Sequence, residues 1–245
     1  MTSSRKLALA AGLCFFVTHV TSIGALVLYE PLLQHAEYVT GRGPDTPVLL
    51  GALFEVGLAL AIVGTAVTLF PVVRRHGEGL ALGYAALRTL EAAVICIGIV
   101  SLLAVVTLRR DGAGAAGPDG DALRTVGGAL VAVHDWTFLL GPNFVLGANT
   151  VLAALLMYRS RLVPRPIAVL GLVGGPLILA SATAVLFGAY PQLSPWGSLA
   201  AVPVFAWELA LAGYLTVKGF RRPGTAGSPG PTLPVAPTTA AAPTA

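Results

Sequence analysis

Six long apolar stretches, separated by short polar segments, constrain this chain more than any other feature of its sequence. They cover residues 7–29, 48–73, 80–108, a stretch that starts between 126 and 138 and ends near 158, 167–190 and 196–217. At about 1.5 Å of rise per residue, each can cross the ~30 Å hydrocarbon core of a bilayer as a helix. Strands of a membrane barrel would instead alternate over about 10 residues. The pattern therefore predicts an all-α integral membrane bundle of six transmembrane helices.

The composition supports a lipid environment and argues against a nucleic-acid partner. Apolar residues make up 56% of the chain and charged residues only 11%, whereas soluble domains have about 25% charged residues. The net charge of +4 comes from short basic clusters between the apolar stretches, and no nucleic-acid-binding motif is present. The expected partner is therefore the lipid bilayer, and no nucleic acid is expected.

The basic residues are distributed unevenly between the two sides of the predicted bundle. Ten Lys and Arg residues fall on the side of the N-terminus, four fall on the other side, and Arg88 lies within a helix. Because positively charged loops stay in the cytoplasm, this bias predicts cytoplasmic N- and C-termini.

Beyond the last apolar stretch the chain changes in composition. Residues 223–245 consist mainly of Pro, Ala, Thr and Gly and carry no charged side chain. Such a segment cannot bury enough apolar surface to offset the entropy lost on ordering. We therefore predict a transmembrane domain over 1–222 and a disordered cytoplasmic tail over 223–245.

Local sequence motifs predict where two helices start and where a third feature, a proline, distorts a helix. Asp45 followed by Thr46 and Pro47 is typical of a capped helix N-terminus. Asp121 is predicted to cap a helix that begins outside the membrane and continues into the fourth span. Pro142 within that span removes a hydrogen bond to the carbonyl of residue 138 and should kink the helix.

Seven polar residues on five of the predicted helices fall within one layer about 10 Å thick. They are Arg88, Glu91, Glu208, Glu55, Asn143, Asn149 and His19. Each ionisable group facing lipid would cost about 2.5–3.5 kcal/mol, so we expect these side chains to turn towards one another. Arg88 and Glu91 are three residues apart and share a helix face. Since three carboxylates face one arginine, at least one should be protonated or paired with His19.

His134 and Asp135 are predicted to lie at the outer membrane interface. This pair could transfer protons, bind a metal or simply form a charged interfacial cap on the fourth helix. Two ligands do not complete a zinc site, so no metal is predicted. No H-E-x-x-H, G-x-S-x-G, C-x-x-C or P-loop pattern occurs, so no cofactor is predicted, and an intramembrane enzyme is left as the third alternative after the two functions below.

The polar layer is consistent with two kinds of function. In the first, the side chains only hold the helices together, as hydrogen-bonded polar groups commonly do in membranes, in a structural or partner-binding protein. In the second, they form a site for binding or transport of a small molecule or a proton. The sequence identifies no ligand, and a homo-oligomer is left open.

Several stretches carry a resemblance to a known family. They include Y-V-T-G-R-G-P-D-T-P at 38–47, A-L-R-T-L-E-A at 86–92, V-H-D-W-T-F-L-L-G-P at 133–142 and F-A-W-E-L at 205–209. From about 7 to 220 the chain resembles the domain-of-unknown-function 4386 family of small bacterial membrane proteins. The resemblance implies a multi-pass protein of a bacterial cell membrane and implies no activity. It also implies that a set of polar positions is typical of the family: Glu55, Arg88, Glu91, His134, Asp135, Arg165 and Glu208.

Overall fold

Six helical spans in the described part of the chain are long and apolar enough to cross a membrane, as the sequence predicts. The computed structural model describes residues 3–33, 38–41, 44–112 and 117–221. The predicted tail over 223–245 lies outside the described residues. The helices are α1 (Ser3–Leu33), α2 (Thr46–Val73), α3 (Glu78–Asp111), α4 (Pro118–Leu139), α5 (Leu146–Ser160), α6 (Arg165–Leu186) and α7 (Pro195–Val217).

The fourth span is interrupted rather than uniformly α-helical. A π-helical segment, Leu140–Val145, joins α4 to α5, and together they form one span of 43 residues, Pro118–Ser160. In a π-helix the N–H and C=O groups that bond are five residues apart, whereas in an α-helix they are four apart. Such segments are often found at functional sites. The chain is therefore a multi-pass membrane protein with one irregular span.

The spans form a ring that is closed by contacts between the first and last helices. In the ring α1 packs on α2 and α7, α3 packs on α2, α4 and α5, and α6 packs between α5 and α7. Arg5 joins α1 to the end of α7, because its guanidinium donates to the carbonyls of Leu215 at 2.8 Å and Thr216 at 2.6 Å. These carbonyls belong to the last turn of α7, where no intrahelical donor is available.

The two ends of the ring are filled differently. We call the end where α1 begins and α7 finishes the termini end, and the other the opposite end. A large apolar cluster packs between the helices towards the termini end. Its largest fully buried members are Phe15, Leu69, Tyr84, Leu156, Met157, Trp207, Leu211 and Leu215. This cluster closes the termini end of the bundle.

The start of α2 differs from the capped start that the sequence predicts. Asp45 occupies the N-cap position and a proline follows in the first turn, yet the Asp45 side chain makes no capping hydrogen bond. Instead it accepts hydrogen bonds from Arg109 at 2.9 Å and Arg110 at 2.8 Å. Since α3 continues to Asp111, beyond its predicted end at Leu108, both arginines are held on a helix opposite this carboxylate.

The Asp45 contacts predict a pH-dependent contribution to stability. Burial alone raises the pKa of Asp45, but the hydrogen bond from Arg110 and the charge of Arg109 lower it below the ordinary 3.8. A lowered pKa in the folded state stabilises the protein above the unfolded pKa, and this stabilisation is lost as the pH falls through the folded value. We expect Asp45→Asn to cost on the order of 1 kcal/mol at neutral pH. The gap in melting temperature between wild type and variant should shrink on acidification, and a gap that stays constant would contradict this assignment.

The prediction that Asp121 caps the helix leading into the fourth span is wrong. The helix begins one turn earlier, at Pro118, after Gly117 with a positive φ of 62°. Asp121 lies in the first turn and accepts a hydrogen bond from Arg124 at 2.8 Å. The helix does run without a break from this polar segment into the fourth span, as predicted.

Candidate functional site

Arg88 lies between two carboxylates near the middle of the bundle. Its Nη1 donates to Glu91 Oε2 at 3.2 Å, and its Nη2 donates to Glu208 Oε1. Glu91 follows Arg88 by one turn of α3, whereas Glu208 comes from α7. Asn149 of α5 donates to the same Glu91 oxygen at 2.7 Å. These bonds connect α3, α5 and α7, and we call the four residues the arginine network.

The surroundings of Arg88 strengthen these charged contacts. The guanidinium carbon lies 5.3 Å from the ring centre of Phe15 and 5.8 Å from that of Tyr84. Aromatic rings at such distances attract a cation. Arg88 is only 2% exposed and Glu91 only 3%, so water screens the interaction weakly. The arginine network is therefore a buried ionic junction on the apolar cluster that closes the termini end.

Glu55 does not join the arginine network and does not pair with His19. Its Oε2 accepts a hydrogen bond from Tyr29 at 2.9 Å, and its Oε1 lies 3.8 Å from His134 Nε2. The other ring nitrogen of His134, Nδ1, lies 3.7 Å from Asp135 Oδ1. We call Tyr29, Glu55, His134 and Asp135 the histidine cluster. It connects α1, α2 and α4.

The predicted outer-interface pair, His134 and Asp135, lies side by side on α4, and its two side chains have different surroundings. His134 is buried and faces Glu55, whereas the Asp135 side chain is 65% exposed. Neighbouring residues on a helix point about 100° apart, so His134 turns towards Glu55 whereas Asp135 lies at the exposed edge of the same wall. The tyrosine partner Tyr29 was not predicted from the sequence.

His19 and Asn143 make local contacts with the backbone. The Nδ1 atom of His19 lies 2.7 Å from the Phe15 carbonyl oxygen, and its ring packs edge-on against Phe205 at 4.8 Å. Asn143 donates to the Phe138 carbonyl at 3.0 Å. That carbonyl is the group predicted to lose its partner at Pro142. The asparagine therefore satisfies the polar group that the proline leaves free, within the π-helical segment.

A partly open cavity of about 640 Å³ brings most of the predicted polar residues together. Of the nine residues that the sequence singles out, eight line this cavity, and Asn149 lies fully buried behind Glu91. The eight are His19, Glu55, Arg88, Glu91, His134, Asp135, Asn143 and Glu208. The arginine network and the histidine cluster share no hydrogen bond among the described residues, but members of both line the same cavity.

The cavity extends towards the opposite end of the bundle. Its wall includes Leu33 at the end of α1 and Gln192 and Leu193 between α6 and α7. Towards the termini end it is bounded by Ile178 and Val204, which belong to the large apolar cluster. Its wall therefore meets the apolar cluster on one side and includes Leu193, which is 62% exposed, on the other.

Several wall residues were missed in the sequence. On α1 they form one face with a helical spacing of three or four residues: Thr18, Ser22, Leu26, Tyr29 and Leu33. The spacing of Thr18, Ser22 and Tyr29 was a signal that could have identified this face. Among the residues that the structure describes, no group of three His, Cys, Asp or Glu side chains could hold a metal ion.

Comparison with known proteins gives one match. A search of curated proteins and a search of solved structures each found no match. A family model covers residues 10–219, which include five complete spans, most of the first span and every residue of the two polar groups. The chain therefore belongs to the family described as Domain of unknown function (DUF4386).

Proposed function

We propose that this membrane protein binds a small molecule in the cavity between its helices. The observation that carries the proposal is the cavity itself, whose volume of about 640 Å³ falls within the roughly 300–1,000 Å³ of small-molecule sites. Most of its wall surface is apolar, and nearly half of the lining residues contribute polar side chains that converge on one space; a mainly apolar wall with convergent polar groups is typical of such sites.

The alternative of a purely structural network is less well supported by this geometry. A network that only held helices together would be expected within a filled core, bonded on all sides. Here Arg88, Glu91 and Glu208 are bonded to each other and also line a space large enough for a ligand. The arginine network therefore supports a double role, in which it fixes α3, α5 and α7 and forms part of the binding wall.

Transport is a second candidate function, favoured by the one-sided shape of the cavity. The apolar cluster closes the termini end, while the wall reaches the opposite end. Transporters commonly bind substrate at mid-membrane, and π-helical segments such as Leu140–Val145 are frequent at functional sites. The bias of basic residues favours termini on the cytoplasmic side of the cell membrane. The cavity would then accept its ligand from outside.

Filling the cavity should weaken binding of a small apolar probe. Ala201 of α7 lines the cavity, whereas Leu199 on the same helix is 63% exposed on the outer surface. We expect Ala201→Trp to weaken saturable binding of N-phenyl-1-naphthylamine at least about tenfold, because the indole occupies the space. Leu199→Trp should leave it unchanged. Binding is measured by probe fluorescence in lipid nanodiscs, with empty nanodiscs subtracted.

The matched variants separate cavity binding from partition into lipid. Both introduce one tryptophan into α7, so a general effect on the bilayer or on probe fluorescence would appear in both. Equal binding by Ala201→Trp, Leu199→Trp and the wild type would contradict the proposal. Melting temperatures of the two variants establish that each is folded.

A further inference from the structure

We propose that the molecule bound in this cavity is an organic cation with an apolar body. The inference rests on the proposed function and goes further, because it assigns the charge of the ligand. It follows from the balance of ionisable side chains on the wall and from the apolar character of the remaining surface.

The ionisable side chains that line the cavity carry an excess of negative charge. Among the described lining residues there are four carboxylates, Glu55, Glu91, Asp135 and Glu208, and one guanidinium, Arg88. Two imidazoles, His19 and His134, complete the set. With one carboxyl group and one imidazole protonated, three carboxylates would still face two cations. A bound cation would reduce this repulsion, and the interaction is strong where water is largely excluded.

Among the described lining residues, an anionic ligand meets a single guanidinium, whose Nε atom is buried and whose two Nη atoms are already occupied. The guanidinium of Arg88 already donates to both Glu91 and Glu208. An anion would have to compete with these two carboxylates and would itself be repelled by them. Glu208, by contrast, contacts Arg88 through Oε1 and also lines the cavity, so a ligand cation can approach it without breaking the arginine network.

The histidine cluster gives a second, independent indication of a ligand. His134 is only 7% exposed and its Nδ1 atom has no hydrogen-bond partner among the described residues. The ring lies 3.8 Å from Glu55 and 3.7 Å from Asp135, beyond hydrogen-bonding distance from either carboxylate. Buried polar atoms are rarely left without a partner. The Nδ1 atom of His134 therefore has no partner among the described residues, and its ring belongs to the cavity wall.

The rest of the wall fits an organic rather than an inorganic cation. Calcium takes about six to eight oxygen ligands at close range, and the described residues contain no cluster of metal-ligating side chains. The wall instead presents aliphatic side chains and the rings of Phe138 and Phe205. Aromatic rings attract organic cations, and the aliphatic side chains can contact the apolar body.

A set of three probes of similar shape and different charge tests the inference. Tetraphenylphosphonium is a cation, tetraphenylborate is an anion and triphenylphosphine oxide is neutral. Saturable binding of each is measured with the full-length protein in lipid nanodiscs, against empty nanodiscs. We expect tetraphenylphosphonium to bind at least about tenfold more tightly than the other two.

Variants of the wall carboxylates test whether these side chains cause the preference for a cationic probe. Glu208→Gln and Glu55→Gln each remove one negative charge and keep the shape of the side chain. Each should weaken tetraphenylphosphonium binding about tenfold. Glu78→Gln removes an exposed carboxylate at the termini end, outside the cavity, and should leave binding unchanged. Testing Glu55→Gln as well as Glu208→Gln keeps the experiment decisive if one variant fails to fold.

The outcomes distinguish the two proposals. Equal binding of all three probes, or a preference for tetraphenylborate, would overturn the cation assignment and leave small-molecule binding in place. Unchanged tetraphenylphosphonium binding in both glutamine variants would also overturn the assignment. Absence of saturable binding by any of the three probes would instead count against the cavity as a small-molecule site.

Discussion

Arg88→Leu is expected to destabilise the bundle by about 3–5 kcal/mol, the cost of removing one partner from a buried ion pair. The reason is that Arg88 serves two carboxylates, Glu91 at 3.2 Å and Glu208 on another helix. Without the guanidinium both remain buried and uncompensated. The loss is measured as the free energy of unfolding in mixed micelles, where reversible unfolding can be followed.

The same geometry predicts an asymmetry between the two members of the Arg88–Glu91 pair. Glu91→Leu leaves Arg88 bonded to Glu208 and removes the acceptor of Asn149, so it should cost less than Arg88→Leu. The double variant should recover part of the loss, because replacing both members of a buried pair can be nearly neutral. Recovery should be incomplete, since Glu208 remains unpaired.

An exposed arginine outside the arginine network provides the control for this experiment. Arg75 lies exposed on the short turn after α2, and Arg75→Leu should neither destabilise the protein strongly nor couple to Glu91→Leu. Additive losses for Arg88→Leu and Glu91→Leu would show that the two side chains do not interact in the folded protein.

The sequence predicts the six spans because its strongest signal, apolar length, is local. It predicts the ends of the helices less well. The Asp45 carboxylate is placed correctly at the start of α2, but its partners come from α3, 64 and 65 residues later. A charged donor offers a stronger hydrogen bond than a backbone amide. Local motifs contain no information about such distant partners.

The sequence predicts which residues form the candidate site, but it does not predict how their side chains pair. Ionisable groups in lipid must turn inward, which is why eight of nine predicted residues line one cavity. Depth along a helix does not fix rotation about its axis. The π-helical segment Leu140–Val145 adds a rotational offset between α4 and α5. The pairing of His134 with Glu55 depends on such rotations and could not be derived from spacing.

The cavity itself depends on how closely the helix backbones approach one another. Gly174 of α6 faces α7 just where the large apolar cluster meets the cavity. A Cβ atom placed on Gly174 would lie 2.6 Å from the Val204 nitrogen and 2.9 Å from the Pro203 carbonyl carbon. Both are backbone atoms, so no side-chain rotation can relieve the contact. Absence of a side chain at this position therefore sets the spacing of α6 and α7.

Gly174→Ala is accordingly expected to destabilise the protein by about 1–3 kcal/mol, the usual cost of overpacking a filled interior. Gly213 of α7 is the matched control, because a Cβ atom there would have no neighbour within 4 Å. Gly213→Ala should stabilise its helix by up to about 1 kcal/mol, since alanine has the higher helix propensity. The two substitutions add the same methyl group, so their melting temperatures should move in opposite directions. A rise for both would mean that α6 and α7 are not in close backbone contact at Gly174, and the adjoining cavity wall would then be wrongly placed.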